Sequence, residues 1–535
     1  KVFYLNVDTR KTLLIGLTTM NGAELLLCTA VNAGIDACLA NAGTTELPLV
    51  AALDSVPGIH PVMALFEGVC TGGADGYGRV KEKPAITLLH LGPGFANGIA
   101  NLHNARRARS PLINIIGQHA TWHIAADAPL TMNVESLAKT VSAWTRTNTS
   151  AENLSSDFAE AYAASMSGKI ASLIVPNDHL WAEIEGKIHT PPPLQYDPID
   201  LHAIEVAAEL LETGKKVALM LGGKALRGQG LLTAGHISAM TGCDLLTETF
   251  PGFVERGAGL PAVAKLPYFP EPALALLSQF EAVILVDIQE PVTFFGYPGI
   301  ESYLLRKDQQ KLFLCSRTQN VVEILGYLED ILKTTIPSKD WRGDSPQPVR
   351  SCLPHGTLTA EKACQVLAAL QPEDVIIVDE GITSGIPYYP LTAGSPPHSV
   401  LAITGGSIGY GMPCAIGAAL AAPDRLIINF QADGSAMYTI QALWTEAREG
   451  LNVKTLICSN RGYNILRVEF QRAGIKDPGL KALSLADIDH PKLDWVRISS
   501  GMGVPAKSVN TVENLAAELT RTLAEPGPSL IEMVI

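Results

Sequence analysis

The chain has 535 residues, 47% of them hydrophobic and 17% charged, with a formal net charge of −13. One hydrophobic core stops growing well short of this length, so it predicts roughly three domains of about 150 residues each. The acidic balance, with no Lys/Arg cluster interleaved with aromatics, excludes nucleic acid as the expected partner. No run of eighteen apolar residues suggests a membrane span, and the nine scattered cysteines form no C-x-x-C pair, so they read as small core residues of a reducing, cytoplasmic compartment.

In chain order, residues 1–19 lack the basic, apolar, small-residue order of a signal peptide and read as a tag or extension, with the domain-like pattern starting near Met20. From there, short β-branched runs alternate with Ala- and Leu-rich stretches of helical length. "AITLLHL", "PLINIIG", "ASLIVP", "KVALMLGG", "AVILVDI", "DVIIVDEG", "RLIINFQADG" and "KTLICSN" read as buried strands; "AELLLCTAVNAG" and "TIQALWTEAREG" read as helices. Proline-rich linkers at 189–198 and 336–356 divide the chain into 20–188, 195–340 and 356–535. The expectation is an α/β protein of three domains with parallel sheets, whose ligands sit outside the carboxyl ends of the strands.

Several residues along this frame carry chemistry. In the first third, Thr44 lies in the turn "ANAGTTELPLV", and Glu67 sits in "MALFEGVCTGGADGYGR", a small-residue segment read as a buried helix. An unpaired buried carboxylate costs several kcal/mol, so Glu67 needs an arginine partner or a task. His90 at a strand end is either a proton relay or a satisfied structural histidine. His119 and His123 are spaced i and i+4 but lack a third metal ligand. In the middle third, "LGGKALRGQG" is a Gly-rich loop without GxGxxG spacing, so FAD is possible but not indicated. In the last third, Asp433 falls between the strand "RLIINFQ" and a stretch expected to be helical from Ser435 onward. Free N–H groups at such a junction suit phosphate, and a carboxylate among them suits phosphate only with a cation between. Asn460 ends the next strand, one strand–helix–strand step later, so the two side chains can converge on a hard cation; the plain alternative is a helix cap and a turn.

The stretch "ADGSAMYTIQALWTEAREGLNVKTLICSNRGYN" resembles the thiamine diphosphate motif of the thiamine diphosphate-dependent 2-oxo acid decarboxylase and carboligase family. The resemblance implies that Asp433, Asn460 and the Gly462 carbonyl hold Mg²⁺ against the diphosphate, with Gly434, Ser435 and Tyr463 beside the cofactor. Ala432 departs from the family's first glycine, and Ser459 from its first asparagine. "TGGSIGYGMPCAIGAALA" is similar to the segment under the aminopyrimidine, which implies a hydrogen bond to the Gly406 carbonyl and an apolar wedge at Ile408. "DEGITSG" implies a diphosphate contact at Thr383. The Glu67 segment is similar to the one carrying the family's catalytic glutamate, which helps remove the cofactor's C2 proton, and Asn97 joins the cofactor set.

The resemblance spans about residue 20 to 535 and implies decarboxylation of a 2-oxo acid, with the enamine protonated to an aldehyde or captured as an acyloin. His90 matches benzoylformate decarboxylases, whereas "GPGFAN" leans toward acetolactate synthases. Thr44, His90, Gln118, His119, Ile465 and Leu466 are the expected substrate pocket, its aliphatic members suiting an apolar side chain. A homodimer or homotetramer is expected, Glu67 of one subunit facing the Asp433 site of another. Acetolactate synthase, an FAD oxidase, and a catalytically silent binding or regulatory subunit stay open as alternatives.

Overall fold

The computed structural model describes residues 20–337 and 345–535, so the segment read as an extension, 1–19, lies outside the described residues. Three parallel-stranded sheets follow one another. The first places its strands in the order His60–Met63, Ala37–Asn41, Ala85–Leu89, Leu112–Gln118, Ile170–Pro176, Trp144–Thr147. The second runs Ala264–Lys265, Asp244–Thr247, Val217–Leu221, Ala282–Val286, Gln310–Cys315. The third centres on Ile376–Glu380, Ile427–Ala432, Val453–Ser459 and Ser529–Val534. These central strands are continuous apolar runs because helices cover both faces of a parallel sheet. Each strand read from the sequence is present, with ends shifted by a residue or two.

The third sheet also borrows an edge strand from the middle of the chain, since Val254–Arg256 pairs antiparallel with His398–Ala402. The first and third sheets are joined through two helices, Glu67–Lys81 and Gly411–Ala421. Glycine permits this approach: a Cβ on Gly76 would lie 2.1 Å from the Cys414 carbonyl oxygen, and one on Gly417 would lie 1.8 Å from that of Gly73. Each interior glycine costs a helix about 1 kcal/mol relative to alanine, so the run "TGGADGYG" makes sense as a packing surface. Arg79 fastens the same joint. Buried and paired with Asp75, it donates to the Ala402 carbonyl at 2.7 Å and to Tyr410 Oη at 2.9 Å.

Two expectations need correction. The helical stretch after Asp433 is broken: a single turn, Asp433–Ala436, starts on the acid itself, and the longer helix begins only at Ala442. In the Glu67 helix, residues 68 to 79 are buried but Glu67, in the first turn, is half-exposed. The buried ion pair there is Asp75–Arg79, and Glu67 has no arginine partner among the described residues.

Candidate active site

Strand register brings Asp433 and Asn460 together. Ala432 pairs with Cys458 across adjacent parallel strands, so both residues emerge at the carboxyl edge of the third sheet. Asp433 Oδ1 accepts from Gly434 N–H at 2.8 Å and Oδ2 from Arg461 N–H at 2.6 Å. Arg461 reaches that position with a left-handed φ of 57°, and the following Gly462 N–H donates to Asn460 Oδ1 at 3.0 Å. Burial pushes the Asp433 carboxyl up to about 6, against the pull of these backbone donors. A carboxylate, an amide oxygen and a nearby backbone carbonyl are the donors a hard cation takes, and a cation would restore the ionised form that burial disfavours. The Tyr463 ring packs against Gly434, where a Cβ would be 2.5 Å from it, so a side chain here would displace the tyrosine. Ser435 is buried beside it, and Thr383 Oγ1 stands 3.5 Å from Asn464 Nδ2, which ties "DEGITSG" to the same corner.

Glu380, which the sequence reading passed over, orders the segment bearing Gly406 and Ile408. Its buried carboxylate accepts from the N–H groups of Gly409, at 2.7 Å, and Gly411, at 2.6 Å, and from Gln431 Nε2 at 2.8 Å. Gly406 itself has a φ of 72°, a conformation that favours glycine.

A second cluster lies at the carboxyl edge of the first sheet. Glu67 Oε2 accepts from Asn97 Nδ2 at 3.0 Å, and a Cβ on Gly94 would lie 3.2 Å from Glu67 Oε1 and 3.4 Å from His90 Cβ. His90 Nδ1 is held at 2.8 Å by Glu46 Oε2 and at 3.1 Å by Thr45 Oγ1. Glu46 is fully buried and also takes the Gly43 N–H at 2.8 Å. Thr44 is exposed, and it is the next two residues, Thr45 and Glu46, that reach His90. The "TTEL" sequence carried that signal in its glutamate. His119 lies near His90, and burial lowers its pKa, with the His123 and His90 charges adding to the effect. Its Nε2 is buried without a partner among the described residues, and its ring meets that of His123 edge-on at 5.3 Å. Gln118 Oε1 turns back to the His119 N–H.

Thr383, Gly406, Ile408, Ile465 and Leu466 share one cavity of about 1280 Å³. Its remaining wall was not foreseen, because it comes largely from the middle third: Phe250, Tyr268 and Phe294 stack with ring centroids 5.2 to 6.0 Å apart. Phe294 sits on Gly406, where a Cβ would be 2.5 Å from the ring. No residue before Gly235 lines this cavity, so Glu67 and His90 are not part of it.

The "LGGKALRGQG" loop does not form an open cradle. A Cβ on Gly223 would lie 2.0 Å from Asp287 Oδ2 and 2.9 Å from Arg109 Nη2, because the Arg109–Asp287 ion pair fills the crevice.

Two parallel-sheet units, one with a helix-borne glutamate and one with an Asp/Asn strand-end pair, define a class of cofactor enzyme. Residues 20–138 match the thiamine pyrophosphate enzyme N-terminal TPP binding domain, and residues 386–533 match the C-terminal TPP binding domain. The chain is 46% identical over 519 residues to a Mycobacterium tuberculosis protein provisionally named acetolactate synthase large subunit IlvX, covering 96% of this chain and 99% of that one. It is 27% identical to the benzoylformate decarboxylase of Pseudomonas aeruginosa, over 94% of this chain and 96% of the relative. Among solved structures, the 4-hydroxybenzoylformate decarboxylase of Rhodococcus jostii RHA1 superposes with a TM-score of 0.81 at 22% identity, covering 96% of this chain and 99% of that one. The chain belongs to the thiamine pyrophosphate enzymes and is an enzyme of their decarboxylase and acetolactate synthase type. Its thiamine diphosphate-binding domains lie at the two ends of the chain. Among the described residues, no helix is long and apolar enough to cross a membrane.

Proposed function

We propose that the chain is a thiamine diphosphate- and Mg²⁺-dependent decarboxylase of a bulky 2-oxo acid, releasing CO₂ and an aldehyde, with acyloin formation as a side outcome. The observation carrying this reading is the convergence of Asp433, Asn460 and Gly462 at two adjoining strand ends, one corner away from a large apolar cavity. Asp433, Asn460 and the Gly462 carbonyl would hold the metal, with Gly434, Ser435, Tyr463 and Thr383 around the diphosphate. Bound thiamine diphosphate supplies a nucleophilic carbon and an electron sink for the pair left by the departing carboxylate.

The chain's own groups supply proton handling and an apolar cavity wall. Glu67 keeps Oε1 free while Oε2 is anchored on Asn97, so it can hold or pass a proton at that oxygen. His90, oriented through Nδ1 by Glu46 and Thr45, leaves Nε2 to serve as acid or base toward the product. Ile465, Leu466 and Phe294 keep the cavity wall apolar.

In this reading the domains are 20–188, 195–340 and 356–535, and the working unit is a homodimer or homotetramer. The Glu67 cluster of one copy faces the Asp433 site of another. Exposed apolar residues flank both halves, Leu47, Met63 and Leu65 near Glu67 and Met437 and Tyr438 near Asp433, as expected of a surface awaiting a partner. FAD is not part of the reading, given the filled crevice at Gly223. Acetolactate synthesis from pyruvate is the second reading, favoured by the name of the 46%-identical relative; the size of the cavity favours the first.

The test is CO₂ release from pyruvate, longer aliphatic 2-oxo acids and benzoylformate by metal-stripped protein, with and without thiamine diphosphate and Mg²⁺. Release that depends on both and favours the bulkier acids is expected. Acetolactate from pyruvate as the main product would replace this reading with the second.

A further inference from the structure

The large cavity contains one feature that an apolar 2-oxo acid does not explain. Lys265, on the short edge strand Ala264–Lys265 of the middle sheet, is partly buried and lines the cavity. It makes no hydrogen bond or ion pair with any described residue; its nearest defined contact is the Tyr389 ring, with Nζ 5.0 Å from the centroid. Of its charged neighbours, Asp379 is the carboxylate whose charge acts on it, and Arg256 is a second cation. Asp379 lines the same cavity without forming an ion pair with Lys265, and its Oδ1 takes the Gly381 N–H at 3.0 Å. Burial raises the Asp379 carboxyl toward its neutral form. Arg256, stacked 3.7 Å from the same Tyr389 ring, is bonded to Thr392 Oγ1 and the Tyr389 carbonyl.

A partly buried ammonium loses part of its hydration, and an aromatic face replaces only some of it. Burial accordingly depresses the Lys265 pKa, with Asp379 opposing. An arriving anion would pair with Nζ against a largely apolar wall through a charge-assisted hydrogen bond. That anion is not the carboxylate that leaves, because a cation held on it would stabilise the substrate more than the transition state and oppose its loss. The cavity, about 1280 Å³, runs from Thr383, Gly406 and Ile408 at the proposed cofactor corner to Lys265, so it extends beyond the cofactor contacts.

We propose that Lys265 is a specificity-determining residue that selects substrates bearing a second anionic group, a carboxylate at the far end of an apolar body. This rests on the decarboxylase reading above for its turnover arm but not for its binding arm.

In the binding arm, decanoate and 1-decanol are titrated by calorimetry into the full chain with thiamine diphosphate and Mg²⁺ present. Wild type is expected to bind decanoate roughly tenfold or more tightly than decanol. Lys265→Met removes that difference while leaving decanol binding in place, and Lys265→Arg keeps part of it. Lys265→Gln serves if the Met variant does not fold. Equal affinity of wild type for the two probes, no decanoate binding, or a preference that survives loss of the lysine overturns the proposal. In the turnover arm, 2-oxo acids of equal length with and without an ω-carboxylate are compared, and wild type should favour the ω-carboxylated member by a similar factor in kcat/KM. Decarboxylation without that preference overturns the role of Lys265 and leaves the decarboxylase reading standing. Lys265-dependent decanoate binding with no CO₂ from any 2-oxo acid supports the anion subsite and removes the decarboxylase reading.

Discussion

Asp433 is 2% exposed, with both carboxylate oxygens taken by backbone N–H groups, whereas Glu67 stands half-exposed with one side-chain partner. The first is positioned by strand register within one sheet, and its geometry is complete in a single chain. The second is held at the mouth of a helix by Asn97, opens onto exposed apolar surface, and contributes nothing to the large cavity. The difference suggests a division of labour: a rigid anchor that fixes a charged cofactor, and a proton-handling group completed by assembly.

Mutations at the two ends should therefore fail differently. Asp433→Ala is expected to give the largest loss, at least about a thousandfold in turnover together with loss of thiamine diphosphate binding, because the proposed metal ligand disappears; calorimetric titration of the cofactor with Mg²⁺ checks it. Glu67→Gln should lower turnover by roughly a hundredfold or more while cofactor affinity stays within a fewfold of wild type, the signature of lost proton transfer. If both variants lose the cofactor equally, the comparison breaks. Glu46→Gln should cost roughly tenfold in kcat with little change in KM, since it acts by orienting His90 rather than by touching substrate. Steady-state kinetics on folded protein would show the split.

The smallest effect on activity is expected at Glu446, outside both clusters. It is fully buried on the helix Ala442–Glu449, neither carboxylate oxygen has a partner among the described residues, and burial pushes its pKa up to about 8. In the unfolded chain it titrates near 4.5. Between these values the native state holds more protons than the unfolded state, so this residue makes stability fall as pH rises from about 5 to 8. Glu446→Gln should flatten that slope and add on the order of 1–3 kcal/mol at pH 8, with activity nearly unchanged. Urea melts at pH 5.5 and 8 measure it.

The sequence made the anchor far more legible than the proton-handling end. Asp433 and Asn460 are linked by one strand–helix–strand step, so local pattern allowed their convergence beside the plainer cap and turn, and the family resemblance favoured it; the strands around them are clear apolar runs. The run "TGGADGYG" read as part of a buried helix of small residues, and only the facing helix Gly411–Ala421 shows its glycines to be a contact surface. Glu46 was hidden beside Thr44 because a 3₁₀ turn decides which of three consecutive side chains faces His90. Phe250, Tyr268, Phe294 and Lys265 were illegible for another reason: they come from loops and edge strands of the middle third, whose approach to Gly406 is set by tertiary packing. Val254–Arg256 joining the third sheet is the same lesson at the level of a strand.

The most direct test of a site divided between copies is complementation. Glu67→Gln and Asp433→Ala, each inactive by itself, are mixed, partly denatured and reassembled, and CO₂ release is measured. If the two ends meet across subunits, random pairing yields mixed dimers in which one of two sites carries both native residues, and activity returns to roughly a quarter of wild type. Failure of the mixture to recover activity, while wild type put through the same cycle does recover it, would contradict the account.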